Sequence, residues 1–304
     1  MLRAAGEVRA DERETPMPRA ELLELVRGAD AIVSLLHDRI DEAVLEAAGA
    51  GLRCVANVAV GYDNVDLEAA ARRGVAVTNT PGVLDDATAD LTMALLLAAS
   101  RRLAEGDRLI RAGGSWTWGM GFMLGADLRS KLLGIVGLGG IGSRVAARAR
   151  AFGMEIAYHS RNPAPPEVAG PLGAERMPLE RLLSEADVLS LHCPLTPETR
   201  HLIGREELAR MKPGAILVNT SRGPVVDEAA LAEALSAGGI AAAGLDVYEH
   251  EPVVEPALLE LDNAVLTPHL GSATIETRAA MAELAAANAI AAARGEPLPT
   301  PVVP

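Results

Sequence analysis

Apolar positions along this chain fall into two alternating rhythms. Arg19 to Arg27 and Glu42 to Ala48 carry them at helical spacing, while Ala31 to Leu36, Cys54 to Val58 and Val75 to Thr78 are short, largely β-branched runs. Helix-like and strand-like pieces in alternation predict a parallel sheet. Asp85 to Arg102 is a long Ala/Leu segment predicted as a helix, and Gly113 to Gly125 is glycine-rich, carries both tryptophans and is predicted as a loop. From Leu132 the alternation resumes, with strands predicted near 133–137, 155–159, 187–191, 215–219, 240–245 and 264–267. Six parallel strands separated by helices or loops are what a Rossmann-type doubly wound sheet requires. An Ala-rich helix, Thr274 to Arg294, leads into a proline-rich tail, Pro297 to Pro304, and no repeat period is present.

The most specific feature is Leu133-Gly-Ile-Val-Gly137-Leu-Gly139-Gly-Ile-Gly142. Glycines at G-x-G-x-x-G spacing occur by chance, but here a buried-strand pattern precedes them and an amphipathic helix from Ser143 to Arg150 follows. In that context Gly137 permits a tight turn, Gly139 lets backbone approach a pyrophosphate, and Gly142 lets helix and strand pack closely. The helix N-terminus then offers N–H groups and the positive end of its dipole to phosphate. A dinucleotide site is predicted. The second strand ends in Tyr158-His-Ser160-Arg161-Asn, 18 positions beyond Gly142, where an acid binding the adenosine 2′-hydroxyl of NAD is expected. No acid stands there. Ser160 and Arg161 instead suit a 2′-phosphate, so NADP(H) is expected over NAD(H), the plainer alternative being that Arg161 is a solvated loop arginine.

Composition narrows the classes. With 304 residues the chain is long enough for two domains, and 49% hydrophobic with 23% charged residues describes an ordinary globular protein. A formal charge of −13 argues against a nucleic-acid partner. No signal peptide and no bilayer-length apolar run are visible, so a cytoplasmic enzyme without membrane association is expected. Cys54 and Cys193 are the only cysteines, without ligand-like spacing, which predicts neither a disulfide framework nor a bound metal. Of 28 basic residues only Lys131 and Lys212 are lysines, leaving 26 arginines and little room for a Schiff-base mechanism.

Three segments at the carboxyl ends of later strands carry unusual loop residues: Asn219-Thr220-Ser-Arg222, Gly244-Leu-Asp246-Val-Tyr-Glu-His-Glu251, and Thr267-Pro-His269. Ligands of open α/β sheets bind at such ends. An arginine, a carboxylate and a histidine converging there would hold an oxyacid and move one proton. Taken singly, Arg222 also fits a helix cap, Glu251 a solvated carboxylate and His269 a surface histidine. A Tyr-x-x-x-Lys pair is absent, and His37, His159, His192, His201 and His250 lack a comparable setting, although His37 is a candidate for a cleft rim.

These segments, together with Val58-Ala-Val-Gly-Tyr-Asp-Asn-Val-Asp66, Asn79-Thr-Pro-Gly82, Thr88-Ala-Asp90, Pro194-Leu-Thr-Pro-Glu-Thr199, Ser221-Arg-Gly223, Glu251-Pro252, His269-Leu-Gly-Ser-Ala-Thr274 and Arg294-Gly-Glu-Pro297, form an ordered set. The set resembles the D-isomer-specific 2-hydroxyacid dehydrogenase family, most closely its glyoxylate/hydroxypyruvate reductase branch, from about Asp30 to Val303. The resemblance implies an α/β protein of two domains. A smaller flavodoxin-like substrate-binding domain would take residues 1–82 plus 274–304, and a Rossmann-type dinucleotide-binding domain residues 83–273, with the active site in the cleft. It implies that Arg222 grips the carboxylate and carbonyl of a 2-oxo acid, that His269 protonates the carbonyl oxygen, and that Glu251 holds the other imidazole nitrogen. Asp246 matches the residue binding the nicotinamide carboxamide, and the N–H groups of Val60 and Gly61 complete the substrate carboxylate site. Gly139, Gly140 and Ile141 would face the pyrophosphate, with Thr88, Pro194, Thr199 and Thr220 lining the cofactor. Met1 to Val8 resembles the end of the relatives' first helix and the next strand, so one interior strand of the small domain is expected to be missing.

The reading is therefore an NADPH-dependent reductase of glyoxylate and hydroxypyruvate to glycolate and D-glycerate. The alternatives are an NAD-linked D-2-hydroxyacid dehydrogenase of another substrate, a phosphite-type oxidoreductase, or a non-catalytic nucleotide-sensing scaffold. A homodimer is expected, because the helix Asp85 to Ala99 and the loop Gly113 to Gly125 hold apolar residues that a lone domain would struggle to cover.

Overall fold

The structure is a computed structural model and describes residues 1–11, 13 and 15–302. The chain divides into two compact units, Met1–Leu84 with Thr274–Pro304, and Asp85–Ala273.

In the smaller unit three parallel strands, β1 (Ala31–Ser34), β2 (Cys54–Asn57) and β3 (Ala76–Thr78), pair in the order β1-β2-β3. Period-two alternation sorts their side chains. Ile32, Val55 and Val77 face Val44, Leu45 and Ala69 on one side. Cys54 and Ala56 face Ala285, Ala289 and Ala292 of the helix Ile275–Arg294 on the other. The small alanine side chains let that helix lie close on the sheet, and burial pushes the Cys54 thiol up to about 11. The helix is capped by the Thr274 hydroxyl accepting from Thr277 N and by Gly295 in the left-handed region at φ 69°. The tail then docks on β3: buried Asn288 exchanges hydrogen bonds with Thr300, and Val302 N donates to Val77 O at 2.8 Å.

Two expectations need correction here. Leu2–Ala5 is a single helical turn, but no strand forms between Gly6 and Ala10. The apolar run Ala31 to Leu36 leaves the sheet at Ser34, because Asp38 turns the chain by accepting from Leu35 N at 2.8 Å, and Leu35 and Leu36 project outward.

In the larger unit β4 (Leu132–Val136), β5 (Glu155–His159), β6 (Glu175–Arg176), β7 (Val188–Leu191), β8 (Ile216–Asn219), β9 (Ala242–Leu245) and β10 (Ala264–Leu266) form one parallel sheet in the order β10-β9-β8-β7-β4-β5-β6. Chain order reverses at β4, which opens a crevice at the carboxyl ends of β4 and β7. Two cores flank the sheet, Leu189, Leu191 and Leu217 pointing to one and Ile135, Val188 and Val218 to the other. The six expected strands are present. The seventh, β6, is two exposed charged residues, so no hydrophobic pattern marks it.

The Ala/Leu helix runs Asp85–Ser100 and packs on β8, β9 and the helix Gly140–Ala151. Only Asp86, Asp90 and Ala94 of it are exposed. It is therefore a largely internal helix, its exposed residues confined to the one stripe Asp86, Asp90 and Ala94. The chain then turns through Arg102 at φ 52° into a further helix, Leu103–Arg111, which was not among the predicted elements.

Close packing of β4 and its following helix makes a stability prediction. A Cβ on Gly142 would collide with Gly137 O, whereas one on Gly139 meets nothing within 4 Å. Gly142→Ala should cost about 2 kcal/mol as overpacking, a fall of about 4–8 °C in a domain of this size. Gly139→Ala should stay close to the unmodified protein. Thermal unfolding followed by circular dichroism checks both, and equal melting temperatures for the two variants would refute the packing argument.

Candidate active site

Strand β4 delivers the chain into Gly137 at φ 97°, where a side chain would strike His192 O, and Gly139 then caps the twelve-residue helix Gly140–Ala151. The open space at Gly139 and the unsatisfied N–H groups of the first helical turn fit a pyrophosphate. Gly140 leaves room for the Asp85 carboxylate, which accepts from Arg144 Nη1 at 2.9 Å. Arg144 also pairs with Asp86, and Arg148 with Asp86 and Asp90, so a ladder ties the helix Asp85–Ser100 to the glycine turn. Ile141 is half-buried beside it. Burial pushes His192 down to about 3, and its Nε2 meets Ser190 Oγ at 2.8 Å, which fits a neutral structural histidine.

The other matched cofactor residues hold loops. Thr199 Oγ1 donates to Pro194 O at 2.7 Å and accepts from Thr196 N, folding the Pro194–Thr199 segment on itself. Thr220 Oγ1 meets Thr92 Oγ1 at 2.9 Å, and Thr88 Oγ1 donates to Gly271 O at 3.2 Å. Thr92 had no signal beyond its position one turn after Thr88. After β5, the Ser160 hydroxyl donates to Asn162 O at 2.7 Å. Its hydrogen is thus engaged within the turn, and Arg161 beside it is exposed.

The three catalytic candidates stand on successive strand ends. Behind β8, buried Asn219 presets the turn: its Oδ1 accepts from Ser221 N and Oγ, and its Nδ2 donates to Arg222 O. Arg222 Nη1 donates to Ser221 O at 2.9 Å, and Gly223 packs backbone to backbone on Tyr248. Behind β9, Glu251 accepts from Tyr248 N at 3.1 Å through Oε1 and meets His269 Nδ1 at 2.9 Å through Oε2. Burial works to raise the Glu251 carboxyl, but the bond and charge of His269, the Tyr248 amide and the Arg222 charge outweigh it and hold it below the usual range. Buried Glu228 braces this loop by accepting from Glu249 N and Glu255 N.

Behind β10, His269 sits in the left-handed region at φ 54°, its N–H donating to Asp246 O and Thr267 O. The Asp246 carboxylate, 1% exposed, accepts from Thr267 Oγ1 at 2.6 Å, Leu270 N at 2.7 Å and Gly271 N at 2.8 Å. Asp246, matched to a nicotinamide contact, therefore serves first as the anchor of the His269 turn. Nδ1 being held by Glu251, Nε2 of His269 has no protein partner among the described residues. Glu228 and Thr92 were missed because their partners lie in other segments, whereas Asn219 stood in a quoted segment without a role assigned to it.

In the smaller unit Val60 and Gly61 lie in the loop after β2. Gly61 O accepts from Asn57 Nδ2 and Val60 O from Asn79 Nδ2, while neither N–H has a protein acceptor among the described residues. Asn57 and Asn64 pair amide to amide, and Asn64 also donates to Leu35 O and Asp38 O. That network joins the Val60-Gly61 loop to the Ser34–His37 loop. Among the described residues no cluster of metal-ligating side chains is present, and no helix is long and apolar enough to cross a membrane.

The model of the D-isomer specific 2-hydroxyacid dehydrogenase NAD binding domain matches residues 93–271. The glyoxylate reductase of Thermococcus litoralis is 54% identical over 284 residues, which is 92% of this chain and 85% of that protein. A solved glyoxylate reductase from Paecilomyes thermophila superimposes with a TM-score of 0.86 at 41% identity, covering 93% of this chain and 88% of the other. An NADPH-dependent glyoxylate/hydroxypyruvate reductase from Sinorhizobium meliloti, solved with NADP and malonate, gives 0.81 at 38% identity over 90% and 83%. With more than half its length matched by that domain and a relative sharing over half its residues, the chain belongs to the D-isomer-specific 2-hydroxyacid dehydrogenase family.

Proposed function

We propose that this protein reduces small 2-oxo acids to D-2-hydroxy acids with NADPH, glyoxylate and hydroxypyruvate being the foremost substrates. The observation that carries the reading is the His269–Glu251 pair, fixed at 2.9 Å on a rigid turn with Nε2 unengaged among the described residues. A bound nicotinamide supplies the hydride. A carbonyl accepting hydride develops negative charge on oxygen, so it needs a cation and a proton donor beside it. Arg222 supplies the cation and a fork suited to a carboxylate. His269 gives its Nε2 proton to the oxygen, and Glu251 holds the imidazole tautomer and steadies its charged form. The unengaged N–H groups of Val60 and Gly61 serve as further carboxylate donors. Relatives named as glyoxylate reductases, one of them NADPH-dependent, support the substrate and cofactor.

A homodimer is proposed on the segment after the helix Leu103–Arg111. Trp116 stacks on Phe122 at 6.3 Å between ring centroids, yet Trp118, Met120 and Leu124 are 74%, 82% and 66% exposed. Side chains this apolar and this bare call for a cover, and a second copy of the same segment provides one.

Turnover of glyoxylate, hydroxypyruvate, pyruvate and branched 2-oxo acids with NADPH, with product chirality assigned, tests the substrate reading. Glyoxylate or hydroxypyruvate should lead and the chiral product should be D. Faster reduction of a branched acid, an L product, or no turnover of any of them would overturn it.

His269→Ala should lower kcat by about two to four orders of magnitude, the usual worth of a general acid. In Glu251→Gln the imidazolium loses its carboxylate, so the loss of reductase rate with rising pH should begin at a lower pH. A His269 variant with near-normal kcat would remove it from the chemistry.

Sedimentation at micromolar concentration should give the mass of a dimer, and Trp118→Asp combined with Met120→Asp should shift it toward monomer. A monomer before mutation counts against the assembly.

A further inference from the structure

Strand β6 brings a residue to the cofactor turn that the fingerprint does not contain. Arg176 pairs in register with Tyr158 of β5, and its guanidinium reaches along the sheet edge to donate through Nη2 to the carbonyls of Ser160 and Arg161, both at 3.1 Å. It thus braces the backbone of the turn where an adenosine 2′-substituent is recognised in this fold. The bracing uses one nitrogen of five-donor guanidinium, leaving Nε and Nη1 for an anion.

Charge pairing in the larger unit bears on what this turn can bind. Arg144, Arg148 and Arg181 each hold two carboxylates, and Glu175, next to Arg176, is taken by Arg181 at 3.2 Å. Among the described residues neither Arg161 nor Arg176 has a carboxylate within ion-pair distance. Glu198 faces Arg161 closely enough to be affected by its charge, but its carboxyl is lowered chiefly by a bond from Thr196. Two guanidinium groups on one turn, with the Ser160 hydroxyl hydrogen engaged internally, match a ligand that brings its own double negative charge.

We propose that Arg176 is a specificity-determining residue for the adenosine 2′-phosphate of NADP, bracing the Ser160–Arg161 turn and adding a second cation to it. The inference rests on the reading that the protein prefers NADPH. A turn without the brace still presents Arg161, but on a looser backbone and with half the positive charge.

Calorimetric titration of the intact protein with NADPH, NADH and the fragments 2′,5′-ADP and 5′-AMP tests it without turnover. Arg176→Gln keeps an amide donor for the carbonyls and removes the charge, and Arg176→Lys keeps the charge. In Arg176→Gln the Kd for NADPH and for 2′,5′-ADP should rise about tenfold, the scale of one charge-assisted hydrogen bond. NADH and 5′-AMP should stay within about twofold, which also shows that the variant is folded, and Arg176→Lys should recover part of the loss. If the unmodified protein prefers NADPH and Arg176→Gln leaves that preference intact, the inference fails while the cofactor reading stands. A rise for NADH equal to that for NADPH makes Arg176 merely structural and also refutes it. Equal affinity of the unmodified protein for the two cofactors refutes the cofactor reading and the inference together.

Discussion

The carboxylate of Asp246, almost wholly withdrawn from water, accepts three hydrogen bonds from one short turn, and that turn carries His269 in a backbone conformation most residues avoid. Holding a non-glycine residue left-handed costs roughly 1–2 kcal/mol. Hydrogen bonds to a charged acceptor contribute about 1.5–3 kcal/mol each, so the three together outweigh the strain and leave the histidine with a single position. Its imidazole meets Glu251 because Glu251 is fixed by Tyr248 N, and the Glu251 loop is fixed in turn by buried Glu228. The site is a stack of carboxylates acting on backbone amides, with His269 at its end.

A second constraint governs the nucleotide side. Backbone must approach backbone around Gly137 and Gly142, and the helix they launch is locked to the helix Asp85–Ser100 by the Asp85–Arg144 and Asp90–Arg148 pairs. The same buried helix carries Thr88 and Thr92, whose hydroxyls reach the His269 turn at Gly271 and the Arg222 loop at Thr220. One helix therefore touches the glycine turn and the loops that carry Arg222 and His269. Its apolar character reflects this central place in the core.

Legibility in the sequence followed how local each signal was. The glycine turn, the six longer strands and the order of Arg222, Glu251 and His269 are carried by contiguous residues, and each was readable. β6 was not, because two solvent-facing charged residues have no hydrophobic period to betray a strand. Glu228 finds its partners 21 and 27 positions away, and Arg176 finds its own 15 and 16 positions back, so nothing in either neighbourhood announces the contact. Asn57, at the end of β2, and Asn64, in the loop beyond it, pair amide to amide, a contact that no local pattern announces. The apolar helix Asp85–Ser100 was legible as a helix, but composition alone did not tell which of its faces lies in the core.

The near absence of lysine has a physical explanation in these same contacts. Arg144 bridges two aspartates, Arg148 bridges two more contacts across the same helix pair, and Arg176 bridges two carbonyls. Each task requires a planar fork with several donors at fixed angles, which an ammonium on a flexible stem does not provide. The two lysines do the one task that needs only a point charge: Lys131 and Lys212 both approach the carboxylate of Asp187, whose Oδ2 accepts from Leu132 N at the start of β4. Arginine is thus the bridging element throughout the larger unit. A residue that binds two protein acceptors at once is also the residue best suited to two oxygens of a carboxylate or a phosphate, so one chemical preference serves both the scaffold and its anionic ligands.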